Sequence, residues 1–206
     1  MYALVTDGTI TKYFSYPKGF TLGELQYPAD IFMKWSVEEK EAIGIYEVVF
    51  NSSNFKDEQW YINTNQSFAF ADGTVTASYD TAIAKSHADS LWTQQDSDDG
   101  NLPDDKSVGD VRGEGLKTTL IRTLKSQVAG ILKNTDWYIT RNTEKSTAIP
   151  SSISTHRDAV RTKQAAMEAQ ITGAADTAAL ETLYTFTEQE DGSVTRPLGE
   201  LPVLES

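Results

Sequence analysis

Two histidines, no cysteine and scattered carboxylates are all this 206-residue chain offers for acid–base or nucleophilic chemistry. His87 stands two places before Asp89, and His156 directly before Arg157 and Asp158. Both histidines read as surface helix residues, and a two-histidine metal site would need both together with a carboxylate. Without cysteine there is no thiolate nucleophile, no disulfide and no Cys-ligated zinc. Asp96-x-Asp98 has the opening spacing of a calcium loop, but Gly100 stands one place too early for its turn. The Asp98/Asp99 and Asp104/Asp105 pairs lie in a polar stretch, where solvated charge is the default. No G-x-S-x-G, phosphate-loop, G-x-G-x-x-G or H-E-x-x-H pattern occurs. The expectation is a non-enzyme with no cofactor and no metal.

The residues that remain suit recognition. Thr135-Asp136-Trp137 is followed by Arg141, then by Arg157 and Arg161 four residues apart. Arginine's planar fork serves ion pairs and aromatic stacking and is enriched at interfaces. All six arginines lie beyond residue 100, so the two halves read as different modules. The first hundred residues hold six lysines and fifteen acidic residues; the rest hold twelve basic and fifteen acidic. The formal charge of −12 argues against a nucleic-acid binder or a polybasic membrane anchor. No apolar run approaches the length of a membrane span, and Met1-Tyr2-Ala3-Leu4 is not a signal-peptide start. A cytoplasmically synthesised, soluble protein is expected. At the C-terminus, Leu198, Leu201, Val203 and Leu204 punctuate a proline-flanked extended tail, which reads either as a frayed end or as a segment suited to strand addition or to a partner's groove. Tyr13, Tyr16, Tyr27 and Tyr46 would serve either a small β-core or a sugar-stacking face.

The elements that must position these groups are legible in outline. Asp7-Gly8 and Asp72-Gly73 separate β-forming runs and predict two hairpins. Ser36 and Glu39 have the spacing of a capping box for a short helix through Ala42. Strands are expected at 45–50 and 60–62, and a helical composition spans Thr81–Trp92. The stretch 94–115, acidic and rich in Gly, Pro and Ser, reads as a linker. Beyond it, Leu116, Leu120, Ile121, Leu124, Val128, Ile131 and Leu132 form one helical stripe. Asn134-Thr135-Asp136 ends it, a polar connector follows, and Pro150 starts a second helix with Ile153, Val160, Met167 and Ile171 on its stripe. Asp176 is placed to cap a third helix, 177–184, and Asp191-Gly192 predicts a final hairpin. The fold class is therefore α+β: a β-rich domain over 1–93, an acidic linker over 94–115, a helical module over 116–184 and a hairpin with extended tail over 185–206. The helical stripes are narrow, and helices gain most of their stability from tertiary packing, so this module calls for the β-domain, a further copy in a homo-oligomer or a different protein to pack against.

The stretch from about Arg122 to Arg161 resembles the tail assembly chaperone and tail-fibre assembly proteins of tailed bacteriophages. The resemblance rests on a helix ending at Leu132, on Thr135-Asp136-Trp137, and on a downstream helix carrying Arg157, Val160 and Arg161. His156 stands where that family usually has tyrosine. Gln26-Tyr27-Pro28-Ala29-Asp30, Trp35-Ser36 and the run 41–47 are similar to the leading domain of such proteins in marine and cyanobacterial phages. The resemblance implies a non-enzymatic virion tail protein that docks a fibre or baseplate component. Its alternatives are a dissociable fibre-assembly chaperone and a carbohydrate-binding or hydrolytic tail accessory. In that reading Trp137 packs the helix–helix junction and Asp136 caps the turn, while Arg141, Arg157 and Arg161 make ion pairs or hydrogen bonds.

Overall fold

Both early Asp-Gly pairs turn hairpins in the computed structural model, which describes residues 1–204. Asp7 and Gly8 have φ of 51° and 75°, and Asp72 and Gly73 have 49° and 73°. Paired positive φ values match the twist of the strands they join. These turns connect β1 (Tyr2–Thr6) to β2 (Thr9–Phe14) and β7 (Ser67–Ala71) to β8 (Thr74–Ser78). Between them lie β3 (Phe20–Leu22), β4 (Leu25–Tyr27), α1 (Ile31–Lys34), α2 (Val37–Glu41), β5 (Ile45–Phe50) and β6 (Tyr61–Ile62). The chain divides into two compact units, 1–83 and 84–206, the division falling within β9 (Ile83–Ala84).

In the first unit a five-stranded sheet runs β2-β1-β5-β8-β7, with β5 and β8 parallel and the other pairs antiparallel. Register shifts between Leu4 and Val5, and such a bulge bends a strand. The sheet curls into a half-barrel that brings Tyr13 of β2 to 4.6 Å from Phe68 of β7, ring to ring. Consecutive side chains of β1 enter different cores. Ala3 and Val5 meet Val75 on one face, and Leu4 meets Phe14, Phe20, Ile31, Phe32 and Ile45 on the other. The capping box of α2 forms as its spacing predicts: Glu39 N donates to Ser36 Oγ (3.2 Å) and Ser36 N to Glu39 Oε2 (2.8 Å).

The second unit departs from expectation at its start. No helix forms over Thr81–Trp92; instead β10 (Ser90–Leu91) pairs with β11 (Val111–Gly113). The segment 94–115 is a folded part of this unit. It holds α3 (Gln94–Asp98), whose N-cap Thr93 and Asp96 form a second capping box. The boundary expected at 93 accordingly falls ten residues earlier. The linker reading failed because polar composition says nothing about pairing partners distant in sequence.

Four helices follow: α4 (Leu116–Lys133), α5 (Asp136–Lys145), α6 (Ser151–Gly173) and α7 (Thr177–Tyr184). The polar connector expected after Trp137 is mostly α5, which ends at Ser146 with φ 51°. Helices α4 and α6 pack antiparallel. Lys117 Nζ donates to Thr172 O near one end and Arg157 Nη1 to Leu132 O near the other. Leu124 and Val128 of α4 and Ile153, Val160, Met167 and Ile171 of α6 are buried. Burial of each such side chain contributes about 1.5–3 kcal/mol. Asp176 caps α7 by accepting from Ala179 N at 2.8 Å. The last hairpin, β12 (Thr187–Glu188) with β13 (Val194–Thr195), forms as the third Asp-Gly pair predicts.

Candidate functional site

Helix α4 ends at Lys133, and the chain restarts as α5 after only Asn134 and Thr135. Thr135 occupies the N-cap position of α5 without capping it. Its hydroxyl turns back and donates to Leu132 O at 3.0 Å, so the orphan carbonyls of α4 take the bond instead. Arg157, nearly two turns into α6, points at this break. Its Nη1 donates to Leu132 O (2.8 Å) and Thr135 Oγ1 (2.6 Å) and pairs with Asp136 Oδ1 (2.9 Å). A cation at the C-terminus of α4 is favoured by the partial negative charge of the last carbonyls. The Arg157 side chain is 9% exposed, while that of Asp136 is 58% exposed. The burden of satisfying the buried guanidinium therefore falls mainly on the two neutral acceptors.

The six motif residues do not form one cluster. Thr135, Asp136 and Arg157 meet at the α4–α5 break. Asp136 is the first helical residue and an ion-pair partner, not the cap expected from sequence. Trp137 does not pack the helix junction; it is 59% exposed on α5. The guanidinium of Arg141, one turn on, lies 4.5 Å from the Trp137 ring and 5.5 Å from that of Tyr138, and the two rings meet edge to face at 5.1 Å. This is an aromatic–cation platform in which Trp137 is exposed and Tyr138 and Arg141 are half-buried. Arg141 Nε is buried without a hydrogen-bond partner. Arg161 joins neither group and faces Asp158 at 3.6 Å with its side chain half exposed.

The tail divides in the same way. Leu198 is a buried anchor, 1% exposed, and not a contact left free for a partner. Leu198 N donates to Leu183 O (3.0 Å), and Leu198 O accepts from Lys163 Nζ (3.0 Å). Leu201 is half-buried, whereas Val203 and Leu204 are exposed.

The histidines also differ from expectation. His87 lies outside any helix, and His156 is buried on α6. The calcium-like Asp96 accepts from Thr93 N (2.9 Å) and Thr93 Oγ1 (2.6 Å) and pairs with Arg112 (3.0 Å). Its hydrogen bonds from Thr93 hold its carboxyl below the usual value. Among the described residues no group of three metal-ligating side chains occurs, and no helix is long and apolar enough to cross a membrane.

Sequence reading gave no role to Tyr138 or Lys163. The Trp-Tyr-x-x-Arg spacing carries the signal for the first, because residues four apart share a helix face. Lys163 had no local signal, since its partner lies 35 residues away. Comparison of the chain with protein-family models, curated proteins and solved structures found no match.

Proposed function

We propose that the chain is a non-enzymatic structural adaptor of a bacteriophage tail, docking a tail-fibre or baseplate protein and residing in the virion after synthesis in the host cytoplasm. The observation that carries the docking role is the Trp137–Tyr138–Arg141 platform. Trp, Tyr and Arg are the residue types that dominate binding hot spots. Here Trp137 stays 59% exposed while its neighbours hold it in place. An exposed ring beside a guanidinium contributes little to fold stability and suits capture by a partner. The assignment to a phage tail rests on the Thr135-Asp136-Trp137 and Arg157/Arg161 resemblance. In that reading Arg157 sets the α4–α5 angle from which α5 presents its aromatic face.

Mass spectrometry of purified virions tests the proposal, using peptides from both units. Recovery at a fixed ratio to a fibre or baseplate protein is expected. Absence from virions, with co-purification alongside free fibre from infected cells, would make the chain a dissociable chaperone and overturn the adaptor role.

A further inference from the structure

The last described residues lie across the α4–α6 pair without filling the space beneath them. Three cavities of about 480, 290 and 430 Å³ follow one another along the tail. The first is lined by Ile131, Met167 and Leu201 but also by polar Gln127, Asn134, Arg196 and Glu200, and the second by Ile131, Thr135, His156 and Leu201–Leu204. The third lies between Thr155, His156 and Ala159 of α6 and Pro202–Leu204. Up to Leu198 the tail is fixed, by the Leu183 and Lys163 bonds and by complete burial of its side chain. Gly199 then turns with φ 72°. Among the described residues, none hydrogen-bonds Leu201, Pro202, Val203 or Leu204, and Val203 is 85% exposed.

A firmly anchored root followed by a loosely seated apolar end is the arrangement of a placeholder. We propose that the groove along Ile131, Thr135 and His156 is a peptide-binding site whose ligand is an extended, proline-bearing apolar segment of another protein. The chain's own Leu201–Leu204 occupies it in cis until displaced. The occupant's chemistry follows from the segment already seated there: an extended Leu-Pro-Val-Leu run with no charge between its leucines. Proline pre-sets the extended backbone and lowers the ordering cost of binding. The cavities beside the tail are of ligand-site size, so a bulkier segment gains contacts that the cis tail leaves unmade. Displacement breaks no hydrogen bond of Leu201–Leu204 seen among the described residues, and the Leu198 anchor stays in place. The inference is independent of the phage assignment, since a chain with no place in a virion would keep the groove.

Fluorescence anisotropy with a labelled Glu-Leu-Pro-Val-Leu peptide tests it on three proteins: the full chain, a chain ending at Glu200, and the full-length Leu201→Asp/Leu204→Asp variant. The latter two vacate the groove and leave its α4 and α6 residues unchanged, and circular dichroism establishes that each is folded. Both should bind the peptide at least tenfold more tightly than the full chain. Ile131→Asp introduced into the shortened chain should abolish that gain. Equal affinity in all three proteins, or no binding to either vacated form, would overturn the proposal. Tail-dependent dimerisation of the full chain in sedimentation would also overturn it, because the occupant would then be a second copy.

Discussion

Replacing Arg157 by alanine probes what holds α6 against the α4–α5 break. The guanidinium makes two hydrogen bonds to neutral acceptors and one exposed ion pair. Bonds to a charged donor contribute about 1.5–3 kcal/mol each. Leu132 O also accepts from Thr135 N and Thr135 Oγ1, both at 3.0 Å. Neither that carbonyl nor the hydroxyl is orphaned when Arg157 is lost, so the lower figure applies, about 3 kcal/mol for the two. Removing a buried cation recovers part of its desolvation cost, and truncation leaves a void that acts the other way. The expected net loss is about 2–3 kcal/mol. Asp136→Ala should cost less than about 1 kcal/mol, because exposed pairs are screened. Thr135→Val should fall between, at about 1–2 kcal/mol, since it takes an acceptor from a cation that stays buried. Urea unfolding followed by circular dichroism at 222 nm reports the helices. With a slope of about 2 kcal/mol per molar, the Arg157→Ala midpoint should drop by about 1–1.5 M. If Asp136→Ala cost as much as Arg157→Ala, the ion pair and not the neutral acceptors would be holding the cation, and the reasoning would fail.

Three further outcomes follow from particular contacts. Gly44 has φ 79°, and a Cβ there would sit 2.4 Å from Val5 O, whereas Gly73 has φ 73° and open space. Gly44→Ala should therefore cost more than the roughly 1–3 kcal/mol of backbone strain that both substitutions carry, measured as paired denaturation midpoints. Asp89 accepts from Gly115 N (2.7 Å) and Thr118 Oγ1 (2.9 Å), and these bonds, the first foremost, hold its carboxyl below its ordinary value of 3.8. A depressed folded-state value gives stability that is present above pH 3.8 and lost as pH falls through the lower folded value. Urea midpoints measured from pH 5 downwards should show this loss in the parent and less of it in Asp89→Asn. Trp137→Ala should change stability by no more than about 0.5 kcal/mol, as exposed substitutions do, yet weaken capture of a fibre or baseplate partner at least tenfold; unchanged capture in pull-downs would remove the platform from the docking reading.

Where an element depends on its own few residues, the chain announced it. The Asp-Gly hairpins, the Ser36/Glu39 box, the α4 stripe from Leu116 and the Asp176 cap all form where expected. The missed elements have distant or polar causes. An alanine-containing stretch around 81–92 favours helix by composition, but Ser90 and Leu91 take strand partners some twenty residues on, and Asp89 fastens to the start of α4. Helix α5 has a polar sequence and buries none of its residues fully, so no apolar period marks it. The α3 box was present as Thr93 and Asp96, hidden by the acidity around it.

The sequence by itself determined the α+β class, the places of the turns and caps, and the residue types available for recognition, because each depends on backbone preferences within a few residues. Only the tertiary structure decided which of those residues meet. Arg157 is drawn to the α4 break because the antiparallel α4–α6 pair places a buried cation beside carbonyls that need donors. Trp137, two places from Thr135, is left exposed on α5, where its ring meets Arg141 and Tyr138. Leu198 is an anchor while Val203 is exposed because Leu183 and Lys163 reach the first and no described group hydrogen-bonds the second. Burial is a property of what arrives from elsewhere in the chain, and spacing along the sequence does not encode it.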